Sequence, residues 1–135
     1  MKIHVRVGPS RIAGQGLFAA QDITKGTRII QYIGARISKE ESARRLAEGN
    51  AYLFEFNTGY YIDGKTLKNT ARYINHSCDP NCEAVVTKRT IWIVATRDIT
   101  EGEELSYNYG FTSKHYRCIC RAKNCCGYIL AEEYW

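Results

Sequence analysis

A polar stretch occupies residues 72–82, with the sequence Arg72-Tyr73-Ile74-Asn75-His76-Ser77-Cys78-Asp79-Pro80-Asn81-Cys82. It is dense in hydrogen-bonding groups and short of side chains that pack in a core. Two interpretations are open at this point. The stretch is either a turn whose side chains satisfy one another, or one wall of a binding site in which Asn75 and His76 present polar atoms to a ligand.

The cysteines give a second signal. Three of them follow the spacing C-x-C-x4-C: Cys118, Cys120 and Cys125. Thiolates are preferred ligands of structural zinc, which takes four ligands in a tetrahedron. The adjacent Cys126 is a poor fourth ligand, because neighbouring residues rarely close a tetrahedron around one ion. Cys78 or Cys82 is available instead, and the alternative to zinc is a set of buried thiols or a disulfide.

Tyrosines are frequent, with 10 among the 135 residues. Tyr107 and Tyr109 point to the same face of the chain if it is extended, because side chains alternate along a strand. Together with Tyr52 and Tyr73 they form a candidate narrow aromatic channel. An amphipathic strand that buries its tyrosines explains the same pattern, so both interpretations stay open.

A third signal, Gly14-Gln15-Gly16, is weak by itself. Glycines permit close approach of the backbone to a ligand, but they serve equally well in a turn. The sequence lacks the third glycine of a dinucleotide fold at this position, so a turn is the favoured interpretation.

Composition restricts the class of protein. Hydrophobic residues are 44% and charged residues 24% of the chain, which excludes a disordered or collagen-like protein and is typical of one globular domain. The net charge of +5 is mild, and the basic residues are dispersed, which favours a solvated surface over a nucleic-acid interface. We find no apolar targeting or membrane segment. The expectation is a soluble intracellular protein without membrane contact.

The secondary-structure signals predict a β-rich α+β fold. Segments rich in β-branched and aromatic residues predict strands at 3–7, 28–33, 52–56, 60–62, 83–87 and 91–96. Asn57-Thr58-Gly59 predicts a hairpin turn. Ser38 and Glu41 form a capping box that begins one helix, and Gly49 ends it. Its buried face is expected to carry Ala43, Leu46 and Ala47.

The order of these signals resembles that of SET-domain protein lysine methyltransferases with a post-SET segment. Six motifs match the family: Gly14-Gln-Gly16-Leu-Phe-Ala, Tyr32-Ile-Gly34, Tyr52-Leu-Phe, Asn75-His-Ser-Cys-Asp-Pro-Asn81, Gly102-Glu-Glu-Leu-Ser-Tyr-Asn-Tyr109 and Cys118-x-Cys120-x4-Cys125-x-Gly127. Any one motif can arise by chance, whereas six in this order are not plausibly accidental.

The resemblance implies a fold of small curved sheets with a pseudoknot, in which the segment around Asn75 packs against the segment that ends at Tyr109. It implies a SET domain over residues 1–112 and a zinc-binding post-SET segment over residues 113–135. A single structural zinc ion is expected, because the chain has no room for a pre-SET cysteine cluster. The implied ligands are Cys78, Cys118, Cys120 and Cys125.

The resemblance also implies the role of each site residue. The residues expected to hold S-adenosylmethionine are Gly14, Gln15, Gly16, Leu17, Tyr32, Arg72, Asn75 and His76. Tyr109 is expected to be the catalytic tyrosine, with Tyr52 and Tyr107 lining the lysine channel. In this family a tyrosine two residues before the catalytic one leaves little space for added methyl groups, so Tyr107 implies mainly monomethylation.

The implied function is methyl transfer from S-adenosylmethionine to a lysine of a histone tail or another basic protein. Such an enzyme is expected in the nucleus of a eukaryote or in the cytoplasm of a bacterium or archaeon. A basic tail needs an acidic groove, for which Glu40, Glu41, Glu55 and Asp63 are candidates. The terminal residues Tyr128, Tyr134 and Trp135 are expected either to fold over the channel or to fray.

Two functions of other classes are alternatives. A peptide-binding module would use the tyrosine groove and the zinc run without catalysis. A small zinc domain for nucleic acid would need a continuous basic stripe, which the sequence lacks.

Overall fold

The computed structural model describes residues 2–56, 59–111 and 116–135. They form ten short strands and one α-helix: β1 (Val5–Pro9), β2 (Gln15–Ala19), β3 (Arg28–Tyr32), β4 (Ala35–Ile37), α1 (Lys39–Ala47), β5 (Leu53–Glu55), β6 (Tyr61–Asp63), β7 (Asn75–His76), β8 (Cys82–Val86), β9 (Ile91–Ala95) and β10 (Ser106–Tyr107). Two short 3-10 turns are Thr70–Tyr73 and Glu132–Tyr134. The strands form four small sheets, which confirms the predicted mostly β fold.

The core lies on one face of the antiparallel sheet β3-β9-β8. Along β9, Ile91, Ile93 and Ala95 are buried, while the residues between them are half-exposed, as strand alternation requires. The largest fully buried apolar side chains are Leu17, Ile74, Ile91, Ile93, Ile99, Leu105 and Leu130. Burial of such a side chain stabilises the fold by about 1.5–3 kcal/mol. In the part of the chain that is described, no helix is long and apolar enough to cross a membrane.

Helix α1 begins as predicted but buries a different face. Ser38 Oγ accepts a hydrogen bond from the Glu41 backbone N–H at 3.1 Å, so the predicted N-cap is confirmed. Leu46, however, is 54% exposed, and Ser42 is the buried residue of the helix. The prediction of an aliphatic buried face was therefore wrong. The helix instead packs against β6 through an ion pair, in which Arg45 Nη1 lies 2.6 Å from Asp63 Oδ2.

The glycine loop, residues 10–16, leads from β1 into the start of β2, and it agrees with the expected turn at Gly14 but not at Gly16. Gly14 has a φ of 49°, in the left-handed region that favours glycine. Gly16 lies within β2. A Cβ atom at Gly16 would lie 2.5 Å from Glu104 Oε2 and 3.0 Å from Ser10 Cβ. The second glycine is thus required by close packing in a strand and not by a turn.

Other strand boundaries also differ from the predictions. β1 is shifted toward the C terminus, β6 begins one residue later than expected, and β2 and β4 were not predicted. β5 and β6 pair in antiparallel fashion, and the Phe56 N–H donates to the Tyr60 carbonyl at 2.7 Å. Asn57 and Thr58 of the predicted hairpin turn lie outside the described residues.

Two segments distant in sequence pair at the centre of the molecule. β7 and β10 are parallel, with Asn75 opposite Ser106 and His76 opposite Tyr107. Asn81 stabilises the pairing, because its Oδ1 accepts from the Ser106 N–H at 2.9 Å and its Nδ2 donates to a backbone carbonyl of the partner segment. We call residues 74–82 and 104–109 the paired segments. The predicted packing of these two stretches is confirmed.

Candidate active site

Asn75 connects the paired segments to the glycine loop. Its Nδ2 donates to the carbonyl oxygens of Ala13 and Gln15, each at 3.0 Å. Ser10 Oγ and Glu104 Oε2 lie 3.0 and 3.2 Å from the same nitrogen. One amide group therefore fixes the backbone of the loop. Asn75 and Gln15, two of the residues expected to hold S-adenosylmethionine, are in direct contact.

The backbone of the glycine loop is open at one end and anchored at the other. No atom outside the neighbouring residues lies within 4 Å of the place where a Cβ of Gly14 would stand. Leu17, in contrast, is fully buried, and its carbonyl accepts from the Leu105 N–H at 2.8 Å. The loop thus offers accessible backbone at Gly14 while its C-terminal end is held in the core.

His76 lies between the expected catalytic tyrosine and the cysteines. Its Nδ1 accepts from the Tyr109 backbone N–H at 3.0 Å, and its Nε2 lies 3.6 Å from Cys78 Sγ. Burial lowers the pKa of His76 to about 4, so the ring is neutral at physiological pH. Because Nδ1 is an acceptor, the ring proton is on Nε2 and faces the sulfur. His76 therefore orients the backbone of Tyr109.

Tyr109 and Tyr107 are buried side by side. Their ring centroids are 5.0 Å apart, and the Tyr109 hydroxyl donates to the Ile74 carbonyl at 2.6 Å. Burial raises the pKa of both phenols far above the ordinary value. Both hydroxyls are consequently protonated at physiological pH, where they act as hydrogen-bonding groups and not as anionic bases.

Tyr52 lies at the margin of this tyrosine pair. The Arg72 guanidinium stacks over the Tyr52 ring at 4.4 Å from its centroid, and the Tyr32 hydroxyl donates to the Tyr52 carbonyl at 2.8 Å. Tyr32 is 5% exposed. Arg72 also donates from Nη1 to the Lys65 carbonyl. Its Nε is a buried donor that has no hydrogen-bond partner among the described residues, which is unusual for a buried N–H.

Aromatic rings form a continuous row through the site. Neighbouring centroids are 5.0–6.2 Å apart along Tyr32, Phe54, Tyr107, Tyr109, Phe111 and Tyr116. Phe111 and Tyr116 were not among the residues predicted to line the channel. Phe111 follows Tyr109 by two residues, the same spacing that separates Tyr107 from Tyr109, and this period was the signal that could have found it.

The predicted cysteine cluster is confirmed as a group of four. The sulfur atoms of Cys78, Cys118, Cys120 and Cys125 all lie within 4.8 Å of one another. Sulfur atoms around tetrahedral zinc are about 3.8 Å apart, for Zn–S bonds of about 2.3 Å, and Cys78 Sγ lies 4.0 Å from Cys118 Sγ. The four thiols therefore fit one zinc ion.

Backbone amides support this cluster. The Cys78 N–H donates to Cys120 Sγ at 3.5 Å, and the Gly127 N–H donates to Cys125 Sγ at 3.4 Å. Burial opposes ionisation of Cys120, but hydrogen bonds from the backbone of Cys78 and Ala122 outweigh it and lower its pKa to about 7. At least one sulfur is thus readily a thiolate, the form that ligates a metal.

Cys82 and Cys126 lie outside the group of four. Cys82 is 1% exposed, and burial raises its pKa to about 12, as expected for an inert core thiol. Cys126 Sγ donates to the Tyr128 carbonyl at 3.2 Å. All six cysteines are free thiols, so the alternative of a disulfide is not supported.

The end of the chain packs beside the expected catalytic tyrosine. Asn108 Nδ2 donates to the Leu130 carbonyl at 3.1 Å, and the Trp135 indole N–H donates to the same oxygen at 3.0 Å. The Ala131 N–H donates to the Phe111 carbonyl at 2.8 Å. Trp135 is 42% exposed. Of the two alternatives for the terminal residues, docking near the channel agrees with the structure better than fraying.

Two of the four carboxylates proposed for an acidic groove are paired with arginines of the same domain. Glu41 and Asp63 both contact Arg45, with Glu41 Oε2 2.8 Å from Arg45 Nε. Hydrogen bonds from Arg44 and Arg45 lower the pKa of Glu41 to about 2. These two carboxylates are therefore neutralised within the domain.

Comparison with known proteins shows which family the chain resembles. A family model described as "SET domain" matches residues 14–110. The chain is 41% identical over 140 residues to the "Histone-lysine N-methyltransferase, H3 lysine-4 specific" of Schizosaccharomyces pombe, which covers 95% of this chain and 15% of that protein. It is 43% identical over 137 residues to the "Histone-lysine N-methyltransferase 2D" of Homo sapiens, covering 92% of this chain and 2% of that protein.

The chain is also similar to a chain of a solved structure. The chain matches a chain in a "Humanized mutant of the Chaetomium thermophilum Polycomb Repressive Complex 2 bound to the inhibitor GSK126" with a TM-score of 0.73 and 37% identity. The match covers 82% of this chain and 15% of the other chain. This chain thus spans a small part of the length of the proteins that it matches.

Proposed function

This chain belongs to the SET-domain family, and we propose that it is a protein-lysine N-methyltransferase that uses S-adenosylmethionine as the methyl donor. One observation supports this most strongly. The first paired segment joins two distant parts of the chain: Asn75 donates to the Gln15 carbonyl in the glycine loop, and the adjacent His76 accepts from the Tyr109 N–H. A module that only binds peptides has no need for this arrangement.

The proposed donor site lies between the glycine loop and the paired segments. Backbone at residues 14–17 binds the donor, and Tyr32, Arg72, Asn75 and His76 border it. Two features fit such a ligand: the open backbone at Gly14, and the buried Arg72 Nε, whose N–H lacks a partner among the described residues. When bound, the donor supplies an electrophilic methyl group on a positively charged sulfur.

The tyrosines prepare the lysine for reaction. A free lysine has a pKa of about 10.4 and is charged at neutral pH, whereas the attacking amine must be neutral. A channel walled by buried aromatic rings disfavours the ammonium ion. The Tyr107 and Tyr109 hydroxyls are protonated, so they orient the amine by hydrogen bonds, and water carries the proton away. In-line alignment supplies much of the remaining rate enhancement.

Tyr107 supports a preference for monomethylation. Its side chain is 5% exposed and is packed between Phe54 and Tyr109, with centroids 6.2 and 5.0 Å away. A hydroxyl in this confined place occupies the volume that added methyl groups would need. Tyr52, at the margin, lines the entrance to the channel.

We also propose that residues 113–135 form a post-SET segment held by one structural zinc ion, next to a SET domain of residues 1–112. The four ligands join the C-terminal segment to the first paired segment, because Cys78 lies two residues after His76. A zinc ion bound there would connect the folding of the C-terminal segment to the active site.

The proposed substrate is a lysine in a histone tail, with another basic protein as the alternative. The names of the relatives support a histone, and three of them specify lysine 4 of histone H3. A histone methyltransferase of a eukaryote acts in the nucleus, so a nuclear location is part of the proposal.

Methyl transfer is tested directly with tritiated S-adenosylmethionine and a histone mixture. The wild-type protein is expected to label a histone, and Tyr109→Phe to lower the rate by about 100-fold, since the hydroxyl oxygen that orients the amine is lost. Tyr61→Phe is the matched control, because it removes a phenol on β6 that hydrogen-bonds Glu55. Equal rates for Tyr109→Phe and wild type would contradict the assignment. No labelling of any protein by zinc-loaded wild type would favour a binding module.

A further inference from the structure

Glu104 has no role in the function proposed so far, yet it lies at the centre of the polar contacts around the glycine loop. Its Oε2 accepts from the Ser10 hydroxyl at 2.6 Å and lies 3.2 Å from Asn75 Nδ2, whose two protons are directed to the Ala13 and Gln15 carbonyls. Its Oε1 accepts from the Arg11 N–H at 3.3 Å. The carboxylate therefore contacts the loop and the first paired segment, while its own backbone belongs to the second.

Ser10 transmits this contact to the rest of the loop. Its Oγ accepts from the backbone N–H groups of Ile12 and Ala13, at 2.8 and 3.1 Å. Its backbone N–H donates to the Gly14 carbonyl at 2.8 Å. Since the hydroxyl proton of Ser10 is directed to Glu104, the oxygen is free to accept both amides. The conformation of residues 10–14 thus depends on the carboxylate.

Gly16 provides the space that the carboxylate occupies. A Cβ atom there would lie 2.5 Å from Glu104 Oε2, much closer than any non-bonded contact allows. The backbone of Gly16 is not in the left-handed region, since it is absent from the residues with positive φ. The glycine is required by the side chain of Glu104 and not by backbone conformation.

We propose that Glu104 is the positioning residue of the donor site: its carboxylate holds Ser10, Arg11 and Asn75 as one unit and thereby fixes the backbone of residues 10–16 for donor binding. This inference rests on the proposed function in so far as residues 14–17 bind the donor. Glu104 acts through the loop and is not assigned a contact with the donor or the lysine.

Glu104→Gln is the sharpest test, because it keeps the size of the side chain. Both carboxylate oxygens accept from N–H or O–H groups. In either orientation, the amide NH2 of a glutamine therefore faces another hydrogen-bond donor. We expect the Kd for S-adenosylmethionine, measured by calorimetry, to rise about tenfold, as for one lost charged hydrogen bond. The KM for the donor should rise in parallel, while kcat at saturating donor changes less than about twofold.

The matched control is Glu103→Gln, which removes the same charge one residue away. Glu103 accepts from the Thr100 N–H at 2.8 Å and contacts Arg97 at 3.3 Å, away from the glycine loop. Its donor affinity is expected to equal that of the wild type. Equal donor affinity for Glu104→Gln and Glu103→Gln would overturn the inference.

One further measurement keeps the test decisive. Amide exchange of Ile12 and Ala13, followed by NMR without the donor, should be faster in Glu104→Gln than in the control. This result is independent of whether the wild type binds the donor, so failure of the proposed function is distinguishable from failure of this inference. Unchanged exchange at these two amides would contradict the role of Glu104.

Gly16→Ala supplies a second route if Glu104→Gln does not fold. The added methyl group displaces the carboxylate, so donor affinity should fall about tenfold. Gly16→Ala and Glu104→Ala remove the same contact, so their losses of donor affinity should not add. The double variant should bind the donor no more weakly than Glu104→Ala alone. Wild-type affinity in Gly16→Ala, or fully additive losses in the cycle, would overturn the proposal.

Discussion

The paired segments and the C-terminal segment, residues 116–135, border the same site but are stabilised in different ways. In the paired segments, Ile74 and Leu105 are 1% and 0% exposed, and Asn81 and Ser106 are buried and hydrogen-bonded to each other. In the C-terminal segment, Leu130 is the large apolar residue that is buried, whereas Ile119, Tyr134 and Trp135 are 62%, 48% and 42% exposed. The first region is part of the apolar core, whereas the second has few buried apolar side chains and contributes three of the four clustered thiols.

The paired segments and the C-terminal segment therefore need not have the same stability. The paired segments fold with the sheet β3-β9-β8, since Ile74, Leu105 and the strands share one core cluster. The C-terminal segment has one large buried apolar side chain, Leu130, and in segments with so small a core a structural metal commonly supplies folding free energy.

Loss of the metal is expected to give the largest effect. Cys125→Ser removes one of four ligands, so we expect loss of bound zinc and at least a 100-fold loss of methyl transfer, while the sheets stay folded. Elemental analysis, far-UV circular dichroism and the transfer assay measure the three quantities. Cys126→Ser is the matched control, since the adjacent sulfur lies outside the group of four, and it should keep zinc and activity. Full activity in a zinc-free protein would contradict the comparison.

The sequence predicted this cluster but not the contacts that order the donor site. The spacing of Cys118, Cys120 and Cys125 indicates a metal because the chemistry of thiolates restricts the alternatives. The fourth ligand, Cys78, came from the family resemblance. Contacts of Glu104 with the glycine loop join positions far apart in the chain, and no local pattern encodes them.

Helix α1 and β2 also show that contacts between nearby residues could be predicted, whereas contacts between distant residues could not. The N-cap at Ser38 was predictable because a capping box involves residues three apart. The buried face of the helix was not, because Arg45 packs through an ion pair with Asp63 on another strand. Gly16 likewise resembles a turn residue until the position of Glu104 is known.

The paired segments can be weakened without touching the metal. Asn81→Ala leaves the Ser106 N–H and the Glu104 carbonyl without their partner, and we expect a loss of about 3 kcal/mol in the free energy of unfolding. Asn81→Asp keeps the acceptor for Ser106 but turns a buried carboxylate oxygen toward the Glu104 carbonyl, so it should lose at least as much at neutral pH. Urea denaturation measures both variants. A loss below about 1 kcal/mol in Asn81→Ala would show that the pairing does not depend on this side chain.

The smallest expected effect concerns the product and not the rate. Tyr107→Phe removes one hydroxyl from the confined centre of the aromatic row, and the freed space should raise the share of di- and trimethylated peptide severalfold. Mass spectrometry of a methylated histone peptide measures this share. Tyr61→Phe should leave the product distribution unchanged. An unaltered distribution in Tyr107→Phe would contradict the proposed preference for monomethylation.

The central claim is that the paired segments and the glycine loop together form a site for S-adenosylmethionine. Calorimetric titration of the zinc-loaded protein with this donor tests it most directly. The account predicts saturable binding of one donor per chain, weakened at least tenfold in Asn75→Ala, because that amide holds two carbonyl groups of the loop. Absence of binding in folded, zinc-loaded wild type would contradict it.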